Sequence, residues 1–218
     1  MLRFLESLQF VLFVFFTAAY AYQIAYLVIG LVGKGRQGKQ DAKLHRYAAI
    51  IAARNESSVI GELIQTLKQQ DYPSELFDVF VIADNCTDNT AEVARQAGAI
   101  VYERFDKVQV GKGYALDYLF HHIFEDKGEQ TYDGFFVFDA DNLVDPQFVR
   151  EMNKMYATGE YAALTSYRNS KNFCDNWISA GYALWFLREA RFLNRPRTQL
   201  GVNCAVSGTG FLVAADVI

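Results

Sequence analysis

The sequence is poor in cysteine, histidine and proline, each of which occurs only three times in 218 residues. Cys86, Cys174 and Cys204 form no Cys-x-x-Cys pair and have no metal-ligand spacing with the histidines. This pattern favours free thiols in a reducing compartment over a metal site or disulfide scaffold. The sequence also contains no Ser-His-Asp or Cys-His arrangement typical of a nucleophilic hydrolase.

Acidic and basic side chains nearly balance, with 25 and 21 residues respectively and a net charge of -4. Without an overall basic balance the sequence does not predict nucleic acid as a partner. About half of the residues are hydrophobic, enough to build a substantial core.

A long apolar run occupies Leu8–Val32, 25 residues without a charged side chain. A helix needs about 20 apolar residues to cross a bilayer. Five basic residues follow the run: Lys34, Arg36, Lys39, Lys43 and Arg46. By the positive-inside rule we expect residues 1–32 to be an N-terminal transmembrane anchor in the cell membrane. Residues 33–46 would then be a basic juxtamembrane linker, and the remainder would be cytoplasmic.

A secretory signal peptide is the alternative interpretation of this segment. Ala19-Tyr20-Ala21 has the small-residue pattern of a cleavage site. However, the apolar run continues for eleven residues beyond Ala21, and the basic residues follow the run instead of preceding it. The anchor is therefore favoured.

From Tyr47 onward, short apolar runs alternate with segments of helical periodicity. Predicted strands are Tyr47–Ala53, Val79–Ala83, Ala99–Tyr102 and Phe135–Phe138. Helices are predicted over Val59–Leu67, after an Asn89/Glu92 capping box, over Gly113–Phe124 and from Asp145-Pro146. This alternation predicts an α/β domain over residues 47–218, with a mostly parallel sheet flanked by helices. Ligands of such sheets bind at the carboxyl ends of the strands.

Three of the four predicted strands end in polar clusters. These clusters are Arg54-Asn55-Glu56, the segment Asp84–Thr90, and Asp139-Ala140-Asp141-Asn142. Because the carboxyl ends of parallel strands share one edge, the clusters should form a single polar rim.

Asp139 and Asp141 give the sharpest chemical signal. Residues i and i+2 of an extended segment point the same way, so two carboxylates would repel each other without a cation between them. Hard oxygen ligands suit Mg²⁺, which also binds phosphate oxygens. The pair therefore predicts a metal site beside a diphosphate, with a solvated turn or helix cap as the alternative.

Two further groups fit a nucleotide. Asp84 could accept hydrogen bonds from a base or ribose, although turn chemistry also explains an Asp there. In Gly111-Lys112-Gly113 the glycines permit close backbone approach, and Lys112 can meet a phosphate at a helix N-terminus. Asp88 and Asn89 are expected to serve as turn and capping groups.

The region beyond Tyr161 is rich in aromatic residues, including Tyr167, Phe173, Trp177, Tyr182, Trp185, Phe186 and Phe192. An acceptor platform is one interpretation, but core packing or contact of an amphipathic helix with a membrane surface is favoured for most of them. Ser207-Gly208-Thr209-Gly210 predicts a tight loop with amides exposed to a substrate.

Taken in order, these motifs resemble family 2 glycosyltransferases of the GT-A fold. The matching segments are Ala53–Glu56, Gln70–Pro73, Asp84–Thr90, Gly111–Leu116, Asp139-Ala140-Asp141 and Gly208-Thr209-Gly210. The resemblance is greatest to the processive, membrane-bound branch that makes polysaccharides. It implies inverting transfer from a nucleotide-sugar, a UDP-sugar above all, to a glycan or lipid-linked acceptor in cell-surface polysaccharide synthesis.

The resemblance also implies residue roles. Asp84 would contact the uracil, while Arg54, Asn55 and Glu56 would line the nucleoside pocket and Lys112 would lie near the nucleotide. Asp139 and Asp141 would hold the diphosphate, Asp141 through Mg²⁺ or Mn²⁺. Asn85 departs from a second Asp that is often found at this position in the family.

The family's general base is a later Asp, and no matching motif occurs before Ile218. We therefore expect the base to lie beyond Ile218, so that the chain carries the donor half of the site. Asp175 and Asp216 are the substitutes if a residue already present acts as base. A nucleotide-sugar-binding module without turnover is a second hypothesis. A nucleotidyltransferase is disfavoured, because Arg54-Asn55-Glu56-Ser57 replaces the glycine-rich loop expected after the first strand.

Overall fold

The structure is a computed structural model that describes residues 2–218. The chain divides into two compact units. One consists of Met1–Arg36 and Ser166–Ala205, and the other of Gln37–Thr165 and Val206–Ile218. We call the first the helical unit and the second the sheet unit. The three cysteines are free thiols, as the sequence predicted.

The regular elements alternate along the chain. The strands are β1 (Tyr47–Ala53), β2 (Phe77–Asp84), β3 (Ile100–Arg104), β4 (Gly134–Asp139), β5 (Ala163–Thr165) and β6 (Phe211–Ala214). The α-helices are α1 (Leu2–Tyr20), α2 (Tyr22–Val32), α3 (Ile60–Lys68), α4 (Thr90–Gln96), α5 (Lys112–Lys127), α6 (Phe148–Tyr156), α7 (Trp177–Arg188) and α8 (Arg195–Gln199). Short 3₁₀ helices cover Ser74–Leu76 and Ala215–Val217, and a π-helix covers Glu189–Asn194.

All six strands form one sheet in the order β3-β2-β1-β4-β6-β5. The strands β1 to β4 are parallel, β6 runs antiparallel to β4, and β5 runs antiparallel to β6. The predicted α/β fold with a mostly parallel sheet is confirmed. Since β6 enters from the carboxyl edge of β4, the loop before it is brought to the ends of the parallel strands.

Helices cover both faces of the sheet. On one face α3 buries Ile60, Leu63, Ile64 and Leu67 completely or nearly so. On the other face α5 buries Ala115, Leu119 and Ile123 against the alternate residues of β1 and β2. Each fully buried Leu or Ile contributes roughly 1.5–3 kcal/mol. This two-sided burial explains why β1 and β2 are continuous apolar runs instead of alternating patterns.

Two predicted helix starts are wrong in detail. The Asn89 side chain makes no cap hydrogen bond, because its backbone (φ -87°, ψ 24°) is outside the extended region that capping needs. Instead, Asp88 Oδ1 accepts from the Thr90 amide at 3.0 Å. Asp145 and Pro146 likewise do not open α6, which begins at Phe148 after the N-cap residue Gln147. Asp145 instead shapes the preceding turn by accepting from the Gln147 amide at 2.9 Å.

In the helical unit, Arg3–Val32 forms a 30-residue helix that is long and apolar enough to cross a membrane, and an 18-residue window within it has a mean hydropathy of 1.8. A turn at Ala21 separates α1 from α2. Within this unit α2 packs closely against the segment that follows α7. Gly30 is buried there, and a Cβ at this position would lie 2.6 Å from the Arg191 carbonyl oxygen. Arg195 Nη2 donates to the Gly33 carbonyl at 2.5 Å.

Candidate functional site

The predicted polar clusters meet at the carboxyl edge of the sheet. In the register, Ala53 of β1 pairs with Ala83 of β2, and Ala52 pairs with Asp139 of β4. The segments that follow these residues are therefore neighbours. The structure thus brings Arg54-Asn55-Glu56, Asp84-Asn85 and Asp139-Ala140-Asp141 to one edge.

Asp84 is buried and ion-paired at the end of β2. Arg104 Nη1 lies 2.8 Å from Asp84 Oδ1, and both side chains are at most 7% exposed. Arg104 also donates to the Gln109 carbonyl at 2.8 Å and to Asp106 Oδ2 at 3.1 Å. One guanidinium therefore holds Asp84 and the loop that leads into α5. Arg104 was not predicted from the sequence, because the predicted third strand ended at Tyr102, two residues before the end of β3.

Asn85 joins the same loop from the other side. Its Nδ2 donates to the Asp106 carbonyl at 2.8 Å, and its Oδ1 accepts from the Asp106 amide at 3.0 Å. Its φ of 53° lies in the left-handed region, which Asn tolerates better than most residues. An aspartate could not supply the Nδ2 donor, which gives a physical reason for Asn at this position. Backbone amides, Gln109 first and then Val108, lower the pKa of the Asp106 carboxyl.

The loop after β1 is held by hydrogen bonds to the loop after β2. Asn55 has a φ of 58°, and its Oδ1 accepts from the Thr87 amide at 2.8 Å. The Glu56 amide donates to Thr90 Oγ1 at 2.8 Å. Asp88 accepts from Thr90 and from the Ser57 amide, and these bonds, Thr90 first, lower the Asp88 pKa to about 2. Asp88 thus has the turn role that the sequence predicted.

Asp139 lies at the end of β4, where two separate segments contact it. Lys112 Nζ, at the N-terminus of α5, is 2.5 Å from Asp139 Oδ1 and also donates to the Gly208 carbonyl at 2.9 Å. The Asp139 amide donates to Thr209 Oγ1 at 2.8 Å. The Gly208-Thr209-Gly210 loop therefore belongs to this cluster. The sequence predicted a tight loop here that faces a substrate, but it predicted no role for Thr209, which is buried.

Asp141 follows on the exposed side of the same turn. Asn142 Nδ2 donates to Asp141 Oδ1 at 3.2 Å, and Asn142 Oδ1 accepts from the Thr209 hydroxyl. Within residues 2–218 no three His, Cys, Asp or Glu side chains form a metal-binding group. Two carboxylates nevertheless fit Mg²⁺ or Mn²⁺ beside a diphosphate, because Mg²⁺ usually keeps water and uses one or two carboxylates plus phosphates.

The N-terminus of α5 offers open space next to Lys112. A Cβ placed on Gly111 or on Gly113 would meet no atom within 4 Å. No acidic residue occupies the first turn of α5. The free amides of a helix N-terminus attract anions. Together with the Lys112 ammonium they form a site suited to a phosphate group.

The two substitute bases lie elsewhere. Asp216 follows β6 and lines a cavity of about 520 Å³ with His45 and Tyr156. Because β6 pairs Ala214 with Gly134, Asp216 lies at the amino edge, five residues of β4 from Asp139, roughly 16 Å. Asp216 is therefore excluded as a base at the Asp139 edge. Asp175 precedes α7 in the helical unit, where its amide donates to the Asn172 carbonyl at 3.1 Å.

Comparisons with known proteins agree with this geometry. The family model described as "Glycosyltransferase like family 2" matches residues 45–218. A beta-monoglucosyldiacylglycerol synthase from Synechocystis sp. is 27% identical over 178 residues, which cover 78% of this chain and 35% of that protein. A 4,4'-diaponeurosporenoate glycosyltransferase from Staphylococcus aureus is 46% identical over 65 residues, 30% of this chain and 16% of that protein.

A solved glycosyltransferase structure has a similar fold. A mannosyltransferase from Pyrobaculum calidifontis, whose structure holds GDP-Man and Mn²⁺, superposes with a TM-score of 0.60 at 19% identity, covering 86% of this chain and 55% of that one. The resemblance to a GT-A glycosyltransferase is thus confirmed at the level of the fold. The chain spans about a third of the length of the first curated relative and less of the second. The matched segment contains every predicted site residue, and the chain belongs to glycosyltransferase-like family 2.

Proposed function

We propose that the protein transfers a sugar from a UDP-sugar to a lipid-linked or glycan acceptor, with inversion, in the synthesis of cell-surface glycans. The observation that carries this proposal is the cluster of Lys112, Asp139 and Asp141 beside the open N-terminus of α5. Of the two acceptor classes we favour the lipid, because a relative aligned over 78% of this chain is a synthase of a glucosylated diacylglycerol.

The diphosphate is assigned to the exposed side of the site. Lys112 and Asp139 are both more than a third exposed, so water weakens their ion pair and lets a ligand replace it. A diphosphate would accept hydrogen bonds from Lys112 and from the amides of α5. Asp139 and Asp141 would hold Mg²⁺ or Mn²⁺. This ion would stabilise the negative charge on the departing diphosphate.

The nucleoside is assigned to the buried side. Arg104 occupies Asp84 Oδ1, and no described residue donates to Oδ2. This second oxygen can accept the N–H of a uracil ring. Arg54, Asn55 and Glu56 would line the ribose and base from the loop after β1. Hydrogen bonds fix the left-handed backbones of Asn55 and Asn85, and they hold this side of the site in one conformation.

In the proposed reaction an acceptor hydroxyl attacks the anomeric carbon of the donor from the face opposite UDP. The C–O bond to the acceptor forms as the bond to the diphosphate breaks, and the hydroxyl proton passes to a general base. Asp84 is held by Arg104, and Asp139 and Asp141 are assigned to the metal, whose charge lowers their proton affinity. The base is therefore a different carboxylate. A positioned base typically contributes roughly 10²–10⁴-fold.

The proposal is tested by calorimetric titration of the protein with UDP, UDP-sugars and GDP, each in Mn²⁺ and again in EDTA. We expect UDP to bind more tightly than GDP and Mn²⁺ to strengthen its binding. Equal UDP affinity in Mn²⁺ and EDTA would remove the metal role. Tighter binding of GDP would contradict the assignment of Asp84 to uracil.

We further propose that residues 1–32 anchor the chain in the cell membrane, that residues 33–46 are a linker, and that the transferase domain of residues 47–218 lies in the cytoplasm. The support is the Arg3–Val32 helix and the basic residues that follow it. Protease added to intact cells should spare the domain. Digestion of the domain from outside would refute this orientation and would favour a signal peptide.

A further inference from the structure

The outward face of α7 is apolar and aromatic. Trp177, Ile178, Tyr182, Leu184 and Trp185 are between 52% and 83% exposed. At 100° per residue these side chains fall on one side of the helix, while the buried Ser179 and Ala183 fall on the other. The face carries no charged residue before Arg188. A contiguous apolar surface of this kind marks an interaction site.

The first turn of α7 is stabilised by a side-chain cap. Asn176 caps it, because Asn176 Oδ1 accepts from the amides of Ile178 and Ser179 at 3.0 Å. The capped helix presents Trp177 at its N-terminal end and Trp185 two turns later on the same face. Tryptophan and tyrosine combine a large apolar ring with a polar group, and they are enriched where membrane meets water.

Contacts within the helical unit place the end of α7, and the segment that follows it, along α2, the second half of the candidate membrane span. Arg188 Nη2 donates to Gln23 Oε1 of α2 at 2.8 Å, and Gln199 Nε2 donates to the Lys34 carbonyl at 2.5 Å. The side chains of α1 described here are all exposed, whereas α2 is partly covered. At 1.5 Å per residue the 30 residues of Arg3–Val32 span about 45 Å, longer than the hydrocarbon layer of a bilayer, which is about 30 Å thick. The α2 end of this helix, with the segment that follows α7 packed against it, therefore reaches the level of the lipid headgroups.

The charged residues that follow α7 suit a position at the lipid headgroups. Between Arg188 and Arg197 the chain has four arginines and one acid, Glu189. Glu189 is itself paired with Arg168 at 3.6 Å. The segment is therefore net positive next to an apolar face, the combination by which interfacial helices bind anionic lipids.

We propose that α7 lies along the membrane surface with its tryptophan face inserted among anionic lipids. The chain then contacts the membrane at two places, the span within residues 1–32 and the in-plane helix α7. This inference rests on the proposed membrane location of residues 1–32 and is independent of the nucleotide chemistry.

The chain provides its own probe, because its only two tryptophans are Trp177 and Trp185. The full chain is reconstituted into vesicles of phosphatidylcholine and phosphatidylglycerol, with or without brominated acyl chains, and flotation verifies that it is membrane-bound. We expect blue-shifted emission that brominated lipids quench and that aqueous iodide does not. Trp177→Phe and Trp185→Phe assign the signal to each position while retaining an aromatic ring.

Leu184→Glu tests the same face without removing a tryptophan, and Val108→Glu is the matched control at an exposed apolar position of the sheet unit. Quenching by brominated lipids should fall several-fold in Leu184→Glu and stay unchanged in Val108→Glu. Emission quenched by iodide would overturn the inference, because the face would lie in water. Emission shielded from both quenchers would also overturn it, because protein would cover the face. Either result, obtained with a chain that floats with the vesicles, would leave the proposed membrane anchor unaffected.

Discussion

The candidate site contains two carboxylate–cation pairs that differ in burial. Asp84 and Arg104 are 2.8 Å apart with side chains 7% and 5% exposed. Asp139 and Lys112 are 2.5 Å apart with side chains 45% and 38% exposed. The chemistry is nearly the same, but solvent screens only the second pair. We infer that the first pair is a fixed part of the fold and that the second is exchangeable.

This difference matches the parts of a nucleotide-sugar. A base is read by groups held in one orientation, and the Asp84–Arg104 pair is tied to Asp106 and Gln109 as well. The diphosphate must be bound, must depart from the sugar as part of UDP, and must then be released. For that task a lysine that can leave one carboxylate for a phosphate oxygen is suited.

The largest expected effect comes from breaking the buried pair. Arg104→Met leaves the Asp84 charge buried without its partner, and we expect the free energy of unfolding to fall by about 3–5 kcal/mol. Lys112→Met is the matched control and should change it by less than about 1 kcal/mol. Urea denaturation measures both. Equal losses in the two variants would show that burial does not distinguish the pairs.

The next effect concerns the metal. Asp141→Asn removes a charged ligand, and we expect Mn²⁺-dependent UDP binding and sugar transfer to weaken about hundredfold, with stability preserved. Asp117→Asn neutralises an exposed carboxylate of α5 and is the control. Calorimetry and a transfer assay give the two readouts. A variant that retains wild-type Mn²⁺ dependence would exclude Asp141 as a ligand.

A smaller effect is expected for Lys112. Lys112→Met should reduce UDP affinity about tenfold through the loss of a charge-assisted hydrogen bond to phosphate. Uridine, which has no phosphate, should bind unchanged. Lys107→Met, at an exposed position of the preceding loop, controls for the change in net charge. If uridine affinity fell as much as UDP affinity, Lys112 would belong to the nucleoside side.

The smallest effect is on pH dependence. Because the folded pKa of Asp88 is lowered from 3.8 to about 2, its stabilising effect is complete above pH 4 and is lost as the pH falls toward 2. Asp88→Asn should therefore be less stable than the wild type at pH 6, and the difference should shrink between pH 4 and pH 2. Urea midpoints at several pH values measure it. A constant difference across this range would contradict the assignment to the carboxylate charge.

The sequence predicted the buried strands best. The apolar run Tyr47–Ala53 coincides with β1, because a strand buried on both faces has no polar interruption. β2 begins two residues before the predicted Val79, because Asp78 breaks the apolar pattern. Asp78 is tolerated there since it accepts from Arg46 at 3.0 Å and from the Tyr132 hydroxyl at 2.7 Å.

The partners within the site were harder to predict, because they depend on strand order and register. Arg104 meets Asp84 only because β3 lies beside β2 with these two residues paired. Thr209 meets Asp139 only because β6 is inserted antiparallel next to β4. Local motifs therefore located Asp84, Asp139 and the loop that carries Thr209, whereas the tertiary fold determined which side chains meet and supplied Arg104.

The measurement that tests the account most directly compares uridine and UDP, each titrated into the protein in Mn²⁺ and in EDTA. If the buried pair binds the base and the exposed group binds the diphosphate, Mn²⁺ will strengthen UDP binding and leave uridine binding unchanged. Mn²⁺ that strengthened both equally, or neither, would contradict the division of the site into a fixed nucleoside side and an exchangeable diphosphate side.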